Sequence, residues 1–285
     1  VTGQSYVVLK ATKGSDSRTY VLQFDKAPYL GTAENPFPIN NQTDLTNFRD
    51  GINNGMSFAY KHYTIPVYGE NTNFIQTANI AMPSGNNISN TESRAFKGTY
   101  DGGNHKITSL TKDGFFGYTK NATVKNLTVE RSSSTKAALI YSMAGGTVDN
   151  CHSTGSVSTT GGLIWETAVV SGTSSILNST NRNNCSGVSG ECGGIVCQVG
   201  TSENYLENCH NYGNISGSYR VGGLVGRSTQ NATAHLTVMR CSNRGNVTNP
   251  GTGNEAVVGG LVGDCSATIT YSYNMGDVDG RANTV

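Results

Sequence analysis

The chain has 285 residues, only 14% of them charged, with 36 Gly, 6 Pro, 7 Cys and a net charge of +1. So few charges and no basic run exclude a nucleic-acid-binding surface, and so little Pro argues against a disordered chain. No apolar run reaches the roughly 18 residues of a membrane span, and no cofactor-binding signature is present.

Residues 1–30 read as a β-hairpin. Tyr6-Val7-Val8-Leu9 and Tyr20-Val21-Leu22-Gln23-Phe24 form its strands, and Lys13-Gly14-Ser15-Asp16 its turn. A lone hairpin is marginal in water, so this one is expected to pair with another sheet edge or to be the tail of a neighbouring domain. A capping region follows over 31–120. Gly31 to Pro38 is a linker, Thr43 is placed to cap a helix over about 44–54, Leu45, Phe48 and Ile52 share one helical face, and Gly55 closes it. From 56 to 95, Phe58, Tyr60, Tyr63, Ile65, Val67 and Tyr68 point to strands without a readable register. Asp101-Gly102-Gly103-Asn104 is turn chemistry, since Gly and Asn tolerate positive φ, with Asp101 and His105 placed to cap backbone groups.

The region 121–285 is organised by a repeat. Val221-Gly222-Gly223-Leu224-Val225-Gly226 returns as Val258-Gly259-Gly260-Leu261-Val262-Gly263. Worn copies are Gly161-Gly162-Leu163-Ile164-Trp165 and Gly193-Gly194-Ile195-Val196-Cys197, with Ala137-Ala138-Leu139-Ile140-Tyr141 as a more distant one. A second phrase aligns Gly155, Asn183, Gly213, Gly245 and Gly276, at intervals of 28, 30, 32 and 31 residues. That period marks stacked repeats.

Aligned copies produce columns. Val148, Ile176, Leu206, Val238 and Ile269 form one; Val157, Cys185, Ile215, Val247 and Val278 another; Leu163, Ile195, Leu224 and Leu261 a third. Parallel in-register coils would bring the members of a column about 4.8 Å apart, each coil burying its neighbour's apolar residues. Asn126, Asn150, Asn178 and Asn208 align, as do Asn181, Asn211, Asn243 and Asn274, and stacked amides hydrogen-bond along such a ladder. In the Gly155 column Asn183 is expected to adopt a left-handed conformation. Asn121, Asn126, Asn178, Asn214, Asn231 and Asn246 also begin glycosylation triplets.

The order Gly31-Thr32-Ala33-Glu34-Asn35-Pro36-Phe37-Pro38-Ile39, the helix, Phe96 to His105, Gly114-Phe115-Phe116-Gly117 and the Gly-Gly-Leu-Val-Gly copies resembles GLUG-motif proteins over about 31–285. These are bacterial surface and secreted proteins, and the motif also occurs in IgA-cleaving zinc proteases. The resemblance implies an all-β fold, a right-handed parallel β-helix with an N-terminal hairpin and one short helix, an extracellular location and an adhesive role. It carries no catalytic residue onto this chain. The hairpin is more weakly similar to the end of a fimbrillin-like adhesin domain.

Catalytic patterns are sparse. There is no His-Glu-x-x-His helix and no Gly-x-Ser-x-Gly elbow. Asp277 with Asp279, Asp149 with Glu207, and His152 with His210 are the nearest to paired groups, and each reads better as a structural or solvated residue. Seven cysteines at irregular spacing give no zinc signature, and read as buried small residues. Cys192 and Cys197 are expected at opposite ends of an extended strand, too far apart to bridge, while Cys209 and Cys241 stand in adjacent coils.

The fifth position of the core motif is the distinctive one. Gly226 and Gly263 occupy it in the sharp copies, Cys197 in another, and Trp165 and Tyr141 in the early ones. Rings in successive coils would suit stacking on a flat ligand, which makes Tyr141 and Trp165 the candidate binding residues. Trp165 has the parity of core-facing Leu163, so only a bend after Ile164 would expose it. The expected function is non-enzymatic binding of glycans or host surface proteins, with a carbohydrate-active enzyme or a structural stalk as rivals. After Gly276 another Gly-Gly-Leu-Val-Gly is due, so an open edge is expected there, covered by further chain, by the hairpin or by end-to-end self-association.

Overall fold

The computed structural model describes residues 5–24, 31–55, 57–60, 63–66, 72–133, 136–155, 161–168, 172–187, 190–200, 203–228, 235–253 and 256–280. Strands β1 (Ser5–Lys13) and β2 (Asp16–Phe24) pair antiparallel around Gly14-Ser15, as the turn residues require. Among the described residues they pair only with each other, so the second edge expected for the hairpin is not found there.

Beyond the hairpin the fold is mostly β, built from parallel strands. Strand β3 (Phe37–Ile39) precedes helix α1 (Gln42–Asn54). Next come the antiparallel pair β4 (Ser57–Tyr60) and β5 (Tyr63–Pro66), then β6 (Asn73–Gln76), β7 (Ile80–Ala81) and β8 (Thr99–Leu110). The long strands β9 (Phe116–Arg131) and β10 (Ile140–Gly155) follow, then β11 (Ile164–Thr167), β12 (Thr173–Leu177) and a series of shorter strands. Each pairs in parallel with its counterpart one repeat later. One column of residues therefore runs unbroken through Phe37, Phe74, Tyr100, Val124, Val148, Ile176, Leu206, Val238 and Ile269. The sequence columns are reproduced residue for residue, except that Val157 lies outside the described residues. Parallel pairing already begins within the capping region, at Phe37.

The early coils fill their wider interior with rings. Phe48 of α1 lies 4.5 Å from Phe74 and 5.7 Å from Tyr100, and Phe96 stacks on Phe116 at 5.0 Å. Leu45, Phe48 and Ile52 are fully buried, so α1 closes one end of the core with its apolar face. Its N-cap is Asn41, whose side chain accepts from the Asp44 N–H at 3.0 Å, and not Thr43, which lies inside the first turn. Gly55 closes the helix at φ 70°, donating to the Gly51 and Ile52 carbonyls. The Asp101–His105 phrase is a bulge within β8. Gly102, Gly103 and Asn104 stand against Asn126 alone, with φ 57° and 61° at Gly103 and Asn104. Asp101 caps it by accepting from the Gly103 N–H.

Two amide ladders lock the coils together. In the buried one, each Asn donates both to the carbonyl two residues on and to the next Asn: Asn181 to Asn211 at 2.8 Å, then Asn211 to Asn243 and Asn243 to Asn274 at 2.7 Å. The second glycine of the core motif is fixed by close approach: a Cβ at Gly194, Gly223 or Gly260 would strike the amide of Asn211, Asn243 or Asn274, and one at Gly162, Gly194 or Gly223 the backbone carbonyl of the next coil as well. The outer ladder joins Asn150 to Asn126 and Asn208 to Asn178. Its members carry the left-handed backbone, with φ between 50° and 53° at Asn126, Asn150, Asn178 and Asn208. The expectation that Asn183 is left-handed is thereby corrected. At Gly213, Gly245 and Gly276 the requirement is close approach, since a Cβ there would strike the carbonyl of the coil beneath.

All seven cysteines are free thiols, six of them buried. Cys192 and Cys197 are not the ends of one extended strand. The chain bends at Gly194-Ile195, so both carbonyls come within 2.9 Å of where a Gly226 Cβ would sit. Cys209 and Cys241 are stacked, with the Cys209 N–H donating to Cys241 Sγ at 3.3 Å.

Candidate functional site

The fifth-position residues form a column on one wall. The register of their neighbours aligns Gly117, Tyr141, Trp165, Cys197, Gly226 and Gly263 in successive coils. Leu163 and Ile164 are both fully buried, so the alternation of side chains breaks between them, one residue earlier than the sequence required. The Leu163 carbonyl accepts from both Leu139 and Ile140, at 2.9 and 3.4 Å, as a bend here demands. Trp165 is thereby turned to the outer face, where it and Tyr141 are half-buried. Gly161 leaves room for the indole, since a Cβ there would lie 2.9 Å from Trp165 Cε3.

Two further residues complete the cluster. Lys136, exposed and anchored through its N–H to Asp113 Oδ1, holds its ammonium 5.4 Å from the Tyr141 ring centre and 5.2 Å from that of Trp165. Such cation–π contacts contribute about 0.5–1 kcal/mol each at a surface and hold both rings in place. Tyr118 meets Tyr141 edge to face at 5.9 Å. Burial, helped by Tyr141, Glu166 and Glu92 and opposed by Lys136, pushes the Tyr118 phenol above its ordinary range, so it stays a neutral hydrogen-bond donor. Tyr118 also lines a pocket of about 380 Å³ with Glu92, Ser93, Lys120, Ser142 and Ala168. The arrangement joins flat apolar faces to a pocket that sets hydroxyl, ammonium and carboxylate groups among Ala95, Ala144 and Ala168. Its chemistry is stacking and hydrogen bonding.

No protein-family model and no curated protein matches the sequence. The likeness found is structural. A solved structure titled "IgA1 Protease" matches over 98% of this chain, with a TM-score of 0.56 and 16% identity. The chain spans 23% of the length of that protein. At this identity the likeness is one of fold alone.

The other sequence candidates are occupied structurally. His152 has both ring nitrogens hydrogen-bonded, to Thr180 at 2.9 Å and Asn150 at 3.1 Å, and His210 repeats the pattern with Ser242 and Asn208. Asp149 accepts from Asn178, Glu207 pairs with Arg240, and Asp277 and Asp279 are exposed. Asn214 and Asn246 accept backbone N–H bonds from the following coil. Among the described residues no three His, Cys, Asp or Glu side chains converge as a metal site would need.

The sequence reading missed Tyr118 and Lys136. Tyr118 follows the fifth-position Gly117 by one residue and lies outside the aligned column, whereas Lys136 sits five residues before Tyr141, where the repeat has no fixed position.

Proposed function

We propose that the chain is a right-handed parallel β-helix of the GLUG-motif type, displayed outside a bacterial cell, which binds glycans without transforming them. The observation that supports this reading is the aromatic wall of Tyr118, Tyr141 and Trp165 under the Lys136 ammonium, beside that pocket. Sugar rings present apolar C–H faces that stack on such rings, while their hydroxyls meet groups such as Ser142, Lys120 and Glu92. Because the rings are carried on hydrogen-bonded strands, little side-chain entropy is lost on binding. In the bound state a neutral sugar replaces Lys136 over one ring.

The test is a glycan array, run with the unaltered protein and with Trp165→Ala, together with an assay for new reducing ends on every glycan bound. Binding that falls at least tenfold in the variant, with no reducing ends released, supports the proposal. Released reducing ends would favour a carbohydrate-active enzyme. Absence of binding on glycan arrays and host-cell surfaces would favour a structural stalk.

A further inference from the structure

Arg131 ends β9 and is only 3% exposed. One guanidinium nitrogen, Nη2, donates to the Ser133 carbonyl at 3.2 Å, while Nε and Nη1 are buried without a hydrogen-bond partner among the described residues. One coil on, Gly155 stands in register with Arg131 and contributes no side chain. The coil after that places Asn183 above Gly155, by continuation of the Ser153–Asn181 pairing. Asn183 is 1% exposed, and its Nδ2 and Oδ1 are likewise buried without partners. Two buried polar side chains with unused hydrogen-bonding groups thus flank a coil that has only a glycine between them. Two inter-strand steps separate their backbones, about 9.6 Å.

A guanidinium does not escape its charge by losing a proton at neutral pH. Burial pushes Arg131 down only to about 10. An isolated buried charge is costly unless it is paired and hydrogen-bonded. Asp113, the carboxylate acting on it, is exposed and forms no ion pair with it, and Cys185 belongs to an apolar cluster with Ile215, Val221 and Val247.

We propose that a small inorganic anion, chloride in ordinary solutions, binds between Arg131 and Asn183, accepting from the unpartnered guanidinium N–H groups and from Asn183 Nδ2. A water in the same space serves Asn183 Oδ1. The role of the anion is to neutralise the core at the point where the aromatic coils give way to the repeats.

The protein would be melted at constant ionic strength with chloride exchanged stepwise for gluconate, and crystals would be soaked in bromide for anomalous diffraction. The melting point is expected to rise with chloride and level off, as for any ligand of the folded state. An anomalous peak is expected within about 3.5 Å of the Arg131 guanidinium. Arg131→Met should abolish the chloride dependence, and the exposed Arg182→Met should keep it. If Arg131→Met does not fold, Asn183→Ala serves instead, with the halide dependence shifted about tenfold to higher concentration. A melting point indifferent to chloride, or bromide peaks everywhere but at Arg131, overturns the proposal.

Discussion

Asn211→Ala is the sharpest perturbation of the fold. The Asn211 side chain is fully buried and donates to the Gly213 carbonyl and to Asn243 Oδ1, both at 2.7 Å. It accepts from Asn181 Nδ2 at 2.8 Å and from the Gly213 N–H at 3.3 Å. Alanine removes all four bonds and leaves the Gly213 carbonyl and Asn243 Oδ1 each short of a donor inside the core. At about 1 kcal/mol per bond, with buried groups left unsatisfied, the loss comes to about 3–5 kcal/mol. For a chain of this size the melting point should then fall by about 10 °C, measured by circular dichroism in the β region. The control is Asn208→Gly in the outer ladder. Asn208 is exposed with φ 53°, so glycine keeps the backbone conformation and removes only two solvated side-chain bonds, to Asn178 and to the His210 ring. That change should cost less than about 1 kcal/mol. If Asn211→Ala melts no lower than Asn208→Gly, the buried ladder does not hold the coils and the reasoning fails.

Three other outcomes follow from the same geometry. Leu224→Asp puts a carboxylate at a fully buried position of the third column and should cost about 4 kcal/mol or more; a variant melting within a degree or two of the parent would refute the column's role. The buried thiols should resist alkylation without denaturant at neutral pH. Burial pushes Cys151 up to about 12 and raises Cys197 and Cys209 as well. Since these folded-state values lie above the unfolded one, their stabilisation is complete below about 8.5 and is lost as pH rises towards the folded values. Denaturant melts at pH 7.5 and 10 should therefore show the alkaline sample weaker, and equal stability would count against burial. The single Trp should emit at an intermediate wavelength, be quenched by acrylamide, and shift to the blue on glycan binding; a fully protected indole would remove Trp165 from the surface.

The repeat region was legible because every coil in an in-register stack meets the same environment. Each coil must spare a Cβ where the next coil's Asn amide lies, so Gly194, Gly223 and Gly260 recur and betray the period. The early coils set Phe37, Phe74 and Tyr100 in the column that Val148 and Ile176 occupy later, and no repeated Gly-Gly phrase announces them. The bends were the hidden element. Leu163-Ile164 and Gly194-Ile195 break the two-residue alternation, which misplaced both the exposure of Trp165 and the path from Cys192 to Cys197. Lys136 reaches the rings across the coil, and such a contact leaves no mark in sequence spacing. Asn41 and Thr43 are both cap-type residues, and it is the Asn41 side chain that accepts the Asp44 N–H.

The two amide ladders also differ in direction. Along the buried row the Nδ2 groups of Asn181, Asn211 and Asn243 each point to the following coil, whereas in the outer row Asn150 and Asn208 donate back to the preceding one. The molecule thus carries two rows of amide dipoles running in opposite senses. Each row taken alone has a donor end and an acceptor end. At the coil of Asn274 the inner row presents a donor, while at the coil of Ser153 it begins with a hydroxyl donating into Asn181 Oδ1. Stacking another coil on the Asn274 side therefore satisfies the row only if the newcomer brings an acceptor.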